Sequence, residues 1–203
     1  VTLKYSEEKI NSTRVVRIPS AQKPKSGVIR VGLAGAGSFA QGMHLPNFLK
    51  LKKNFHLGAV MSRTGSNAKA VAMQYQAEYC TTEYEKLLSD PDLDLILIAT
   101  RHDLHADMAL RALQAGKHVL LEKPLALNEV DLTKIEKFYL EASGSTPILL
   151  TGFNRRFSPA LVEAKRVLER RSTPVIINYR MNAGFIPSEH WVHGVEGGGR
   201  NIG

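Results

Sequence analysis

Between Gly27 and Thr151 the chain alternates short apolar runs with helix-like stretches, and this rhythm constrains the fold more than any other feature. The runs are "GVIRVGLAGAG", "FHLGAVMS", "LDLILIAT", "HVLLE" and "PILLTGF", with "AEYC" as a further short strand. Helical patterns lie between them: "SFAQGMHLPNFLKL", broken or kinked at Pro46; "NAKAVAMQY", with Asn67 as N-cap; and "TEYEKLLSD", stopped before Pro91. The next helix sets Ala106, Ala109, Leu110 and Leu113 on one stripe and ends at Gly116. The last, "NEVDLTKIEKFYLEA", has Asn128 at its cap and Leu132, Ile135, Tyr139 and Ala142 inward. Strand–helix alternation of this kind predicts an α/β fold with an open parallel sheet covered on both faces. The nearly all-apolar Leu93–Thr100 fits a strand buried on both sides.

After Thr151 the rhythm changes. "SPALVEAKRVLERR" predicts a helix entered through Ser158-Pro159, "PVIINYRM" a long strand, and the remainder is loop-like. The expected division is a lead-in and linker over 1–26, the alternating α/β domain over 27–151, and over 152–203 the start of an incomplete α+β domain. The chain begins without Met and stops without a terminating element, so it is expected to be part of something longer.

The first predicted strand runs into "GLAGAGSFA". Gly35-x-Gly37-x-x-Ala40 fits the dinucleotide fingerprint with its permitted terminal alanine. Gly35 allows a tight turn out of the strand. Gly37 leaves the backbone open to a pyrophosphate, and Ala40 lets helix and strand pack closely. Ser38 and Phe39 complete a loop whose helix offers free amides to phosphate. With a strand before it and a helix after it, the motif predicts a Rossmann doubly wound sheet. The end of the second strand reads Met61-Ser62-Arg63-Thr64, without the acid that would hold an NAD ribose and repel a 2′-phosphate. Ser62 can hydrogen-bond and Arg63 can pair with phosphate or stack on adenine, which leans towards NADP over NAD. Read without function, Arg63 is an exposed loop arginine.

The 203 residues are 43% hydrophobic and carry a formal net charge of +8, which raises nucleic acid as a partner. The basic runs lack basic-aromatic repeats, zinc-finger spacing or a helix-turn-helix pattern, and read as solvated helix faces and a linker. Attraction of anionic substrates accounts for the charge equally well. No apolar run approaches the ~20 residues of a membrane helix. The one cysteine, Cys80, cannot form an internal disulfide and suits a reducing cytoplasm.

"HVLLEKPLAL" sets Glu122, Lys123 and Pro124 after an apolar strand, where charge is costly unless it is paired or functional. This run, the glycine loop, "DLILIATRHDLHADMALRALQAGKHVLLEKPLAL" and "GFNRRFSP" resemble the glucose-fructose oxidoreductase, inositol dehydrogenase and MocA family. The resemblance covers about Val28 to Gly203. It implies an NAD(P)-dependent oxidoreductase that moves a hydride between nicotinamide and a secondary alcohol or ketone of a sugar, sugar nucleotide, inositol or similar polyol. Lys123 would be the catalytic acid/base, aimed by a peptide to Pro124 that is often cis, with Glu122 orienting it or holding a ribose hydroxyl. A free lysine ionises near ~10.4, and burial beside a positive nicotinamide would lower that.

The resemblance also places Thr100, Arg101, His102, His105, Glu122, Pro124 and Arg156 at the cofactor. Many members read Thr-Pro-Asn where this chain has Thr100-Arg101-His102. His105 is either a site histidine or a helix-opening residue without chemistry, and Arg156 either contacts ligand or braces two domains. "HWVHGVEGGGR" resembles a loop whose Trp191 and Arg200 reach the cofactor, with Gly194 where members often carry aspartate. His190 and His193 lack a third ligand, so no metal site is expected.

The family's acidic, histidine-bearing helix and its large sheet would lie beyond Gly203. The chain alone is therefore expected to bind dinucleotide and turn over poorly, with any homo-oligomer formed through that sheet. The lead-in resembles the tail of a fused upstream domain. The rival function is a non-catalytic dinucleotide sensor of the same fold, for which an intact Glu-Lys-Pro run would have no use.

Overall fold

The computed structural model describes residues 14–19, 26–182 and 184–199. The chain divides into two compact units, Val1–Ala99 and Thr100–Gly203. The first holds β1 (Val15–Arg17), β2 (Ile29–Ala34), α1 (Leu45–Lys50), β3 (Phe55–Met61), α2 (Gly65–Gln74), β4 (Tyr79–Thr81), α3 (Tyr84–Leu88) and β5 (Leu95–Ile98). Its strands lie in the order β1-β4-β3-β2-β5. β2 pairs in parallel with β3 and with β5, and β3 in parallel with β4. The chain steps outward from β2 to β4 and then returns to the other side of β2. The carboxyl ends of β2 and β5 therefore form the point where strand order reverses, the usual ligand site of an open α/β sheet.

Val31, Leu33, Val60, Ile96, Leu97 and Ile98 are fully buried, as strands covered on both faces require. Residues 15–17, expected to be lead-in, add an edge strand antiparallel to β4, for which Val15 and Val16 are suited.

The helical run from Ser38 contains a π-type turn, Ala40–His44, directly before α1, where Leu45 N donates to Ala40 O. Pro46 follows at the start of α1 and supplies no N–H, so the local widening falls where the regular ladder loses a donor. Asn67 is not the cap of α2: Thr64 holds that place and Asn67 lies in the first turn.

The second unit contains α4 (His105–Gln114), β6 (His118–Leu121), α5 (Glu129–Glu141), β7 (Leu149–Thr151) and α6 (Pro159–Leu168), with short 3-10 turns at His102–Leu104, Asn154–Phe157, Trp191–His193 and Val195–Gly197. β6 and β7 are parallel. Asn128 caps α5 by accepting from Asp131 N at 2.9 Å, and Ser158 caps α6 by accepting from Leu161 N at 3.4 Å.

Two expectations fail in this unit. Of the predicted inward row of α5 only Ile135 is buried. Leu132 is exposed, and Ala142 lies beyond the last helical turn. The segment 174–181 forms no strand; Ile176 and Ile177 stand in solvent at 93% and 68% exposure. Its β-branched and aromatic residues favour a pleated surface only when a neighbouring strand supplies the hydrogen bonds, and no described residue pairs with it.

Candidate active site

In the first unit the glycine loop sits at the carboxyl end of β2. Gly35 has φ of +99°, a conformation open to glycine, and its N–H donates to Met61 O at the end of β3 at 2.9 Å. At Gly37 a Cβ would meet nothing within 4 Å, so this face of the loop is open. Ala40 is fully buried, Ser38 is exposed, and Phe39 is about half exposed at 49%. Gln41 N donates to Gly37 O at 3.0 Å, closing the first helical turn.

Two side chains fix this loop: Gln41, which the sequence did not single out, and Asn67, which was expected there only as a helix cap. Gln41 Nε2 and Asn67 Nδ2 both donate to the carbonyl of Ala36, each at 2.9 Å. Ala36 stands between the two glycines, so both amides tie down the turn itself. Asn67 Nδ2 also lies 3.0 Å from Ser62 Oγ, which makes the Ser62 hydroxyl an acceptor within the protein; Ser62 is only 8% exposed. Arg63 is exposed.

In the second unit the structure gathers most of the remaining predicted residues. Glu122, Lys123 and Pro124 follow β6 and are half-buried, and the Lys123-Pro124 peptide is cis. His105, at the start of α4, is completely buried. Its Nδ1 lies 2.7 Å from Pro124 O and its Nε2 3.3 Å from Thr100 O. The Thr100 hydroxyl donates to Arg101 O at 3.3 Å.

His102 Nδ1 lies 3.1 Å from Gly197 O, and its ring meets Trp191 edge to face at 4.9 Å. The Arg101 guanidinium lies 4.0 Å from the centroid of the Trp191 ring, and its Nε is 3.2 Å from Glu196 Oε2. Arg101, His102 and Trp191 are thus engaged with one another, and Glu196, which the sequence did not flag, completes the cluster.

Burial pushes the pKa of both histidines below its ordinary value. For His102 the positive charges of Lys123 and Arg101 act in the same direction; for His105, His102 does so. Both shifts favour the neutral imidazole.

Gly152, at the end of β7, is a further residue the sequence reading passed over. Its N–H donates to Leu121 O at 2.7 Å. A Cβ there would lie 3.1 Å from Lys123 N and 3.2 Å from Glu122 Oε2. Arg156 is exposed, with Nη2 donating to Thr151 O at 3.0 Å and its guanidinium 4.8 Å from the Phe157 ring centroid. Arg200 lies outside the described residues.

Residues 29–146 match the model of an oxidoreductase family with an NAD-binding Rossmann fold. The chain is 31% identical over 166 residues to inositol 2-dehydrogenase 2 of Saccharopolyspora erythraea, covering 80% of this chain and 46% of that protein. Among solved structures it resembles a 3-ketoreductase from Actinomadura kijaniata in complex with NADP and TDP-benzene. There the TM-score is 0.62 at 29% identity, over 70% of this chain and 42% of the other. It also resembles myo-inositol dehydrogenase from Lactobacillus casei in complex with NAD(H) and myo-inositol, with a TM-score of 0.64 at 25% identity, over 70% and 41%. The chain spans about 40–47% of the length of the curated relatives it matches well, such as these. Among the described residues no helix is long and apolar enough to cross a membrane. Strand order, glycine turn and family match agree, and the chain belongs to the Gfo/Idh/MocA oxidoreductase family with its NAD-binding Rossmann fold.

Proposed function

We propose that the chain is the cofactor-binding part of an NAD(P)-dependent oxidoreductase acting on a secondary alcohol or ketone of a sugar, sugar nucleotide, inositol or similar polyol. The observation that carries the reading is the glycine turn at the strand-order reversal, with Gly35 in a left-handed conformation, Gly37 open, and Ala36 tied down by Gln41 and Asn67. These residues fit a dinucleotide: the open face at Gly37 admits a pyrophosphate, and the amides entering the helix at Ser38 and Phe39 favour its charge. When bound, the nicotinamide supplies a two-electron hydride acceptor or donor. Lys123 takes the alcohol proton on oxidation and returns it on reduction. Glu122 and Pro124 flank it, and Thr100, Arg101, His102, Trp191 and Arg156 shape its surroundings.

The Ser62-Arg63 pair, with no acid at the end of β3, supports NADP as the preferred cofactor. Residues 27–151 carry the dinucleotide site and 152–203 begin the substrate part. The buried, unpaired Cys80 supports a cytoplasmic setting.

The test is a titration with NADPH and NADH, followed by nicotinamide fluorescence, on the wild type and on Lys123→Met. Saturable binding in both proteins is the expected result, with whatever substrate-dependent hydride transfer the wild type supports lost in Lys123→Met. Failure of the wild type to bind either dinucleotide overturns the reading.

A further inference from the structure

We infer that His105 and Gly152 are positioning residues for Lys123, gripping the backbone on either side of it. The inference rests on the proposed acid/base role of Lys123, and its observations all lie within the second unit.

The imidazole of His105 has 0% exposure, and both of its nitrogens face main-chain carbonyls, Pro124 O at 2.7 Å and Thr100 O at 3.3 Å. Carbonyls only accept. Burial keeps the ring neutral, so it carries one proton, and the shorter contact takes it. Nδ1–H therefore donates to Pro124 O, immediately after Lys123. No ring atom is left exposed to meet a cofactor, which separates His105 from the cofactor-contact role that the family resemblance implies.

The backbone before Lys123 is held from β7. Gly152 N–H donates to Leu121 O at 2.7 Å. The approach is so close that a Cβ at 152 would press on Lys123 N at 3.1 Å and Glu122 Oε2 at 3.2 Å. The stretch 121–124 thus has one carbonyl fixed at each end, and Lys123 departs from between them. His105 and Gly152 act only through that backbone.

Two substitutions of similar size and polarity at 105 separate the readings. Asn places an amide where Nδ1 sits and keeps a donor for Pro124 O, whereas Gln places it near the Nε2 position and loses that bond. The readout is the rate at which acetic anhydride, in trace amounts, labels Lys123 between pH 7 and 10, measured by mass spectrometry with exposed Lys134 of α5 as internal reference. This needs neither cofactor nor substrate, so its outcome is independent of whether hydride transfer is found.

Labelling of Lys123 relative to Lys134 within about twofold of wild type in His105→Asn, and raised about fivefold or more in His105→Gln, is the expected pattern. Gly152→Ala, which leaves His105 intact, should raise it selectively as well. NADPH affinity should stay within about threefold throughout. Equal labelling in the Asn and Gln variants overturns the assignment for His105, as does a loss of NADPH affinity with labelling unchanged, which would make His105 a cofactor contact. Unchanged labelling in a folded Gly152→Ala overturns the assignment for Gly152.

Discussion

His105 Nδ1 stands 2.7 Å from the carbonyl oxygen of Pro124, and the ring that makes this bond is fully buried. A buried neutral histidine is a pH liability. The unfolded chain takes up a proton near the ordinary histidine pKa of about 6.5, while the folded chain resists it. His102 behaves likewise, with Lys123 and Arg101 opposing its charge and Asp103 favouring it; His105 faces His102 and Glu122. With both folded values lowered, the unfolded state binds more protons in this window. Stability should therefore be level above about pH 7.5 and fall as the pH drops below 6.5. Urea midpoints measured from pH 5 to 8 check this. His105→Asn, which keeps the bond and removes the titration, should flatten part of the slope; an unchanged slope in both His105→Asn and His102→Asn would place the pH dependence elsewhere.

Gly37 in the first unit and Gly152 in the second make opposite predictions, because a side chain finds open space at the one and crowded backbone at the other. A side chain at 37 enters open space, so Gly37→Val should change stability by no more than about 0.5 kcal/mol, the usual range for exposed positions. It stands where the pyrophosphate must approach, and dinucleotide affinity should fall at least about tenfold, or about 1.4 kcal/mol. Fluorescence titration beside thermal unfolding separates the two effects. Equal affinity in wild type and variant would move the phosphate away from this loop.

The contrast also shows what a sequence carries. The strand–helix rhythm and the glycine turn are legible because each is written in neighbouring residues: Val31, Leu33 and Ile96–Ile98 mark strands buried on both faces, and Gly35 marks the turn that follows. The bonds that hold the turn are not local. Asn67 reaches Ala36 across 31 positions, leaves no periodic trace, and belongs to a residue type whose commonest helical role is the cap it was expected to form. Gly152 is silent for the same reason, since its constraint is the space occupied by Glu122 and Lys123. The segment 174–181 errs the other way: its composition favours a strand, but composition supplies no hydrogen-bonding partner.

Arg63 should set cofactor preference. It is exposed at the end of β3, and the neighbouring Ser62 hydroxyl is turned against Asn67. A guanidinium pairing with a 2′-phosphate gains what it cannot gain from a ribose hydroxyl. Arg63→Ala should weaken NADPH about tenfold and leave NADH within about twofold. Parallel titrations with the two cofactors decide the matter, and an equal loss for both would assign Arg63 to adenine stacking.

Arg101 joins two interactions that respond differently to salt. Its pairing with Glu196 is between groups 40% and 49% exposed, a class worth about 0–1 kcal/mol and screened by ions. Its stacking on Trp191 at 4.0 Å belongs to a class worth about 0.5–1 kcal/mol at exposed sites, and it needs the planar guanidinium. Trp191 is the only tryptophan in the chain, so fluorescence excited beyond the tyrosine absorption band reports on this cluster alone. Glu196→Gln should change acrylamide quenching little and abolish its dependence on salt. Arg101→Lys keeps the charge but loses the planar stack, and should raise quenching towards the level of Arg101→Ala. If Lys at 101 protects Trp191 as well as Arg does, charge rather than stacking holds the 191–197 loop against the turn that carries His102, and salt alone should then release it.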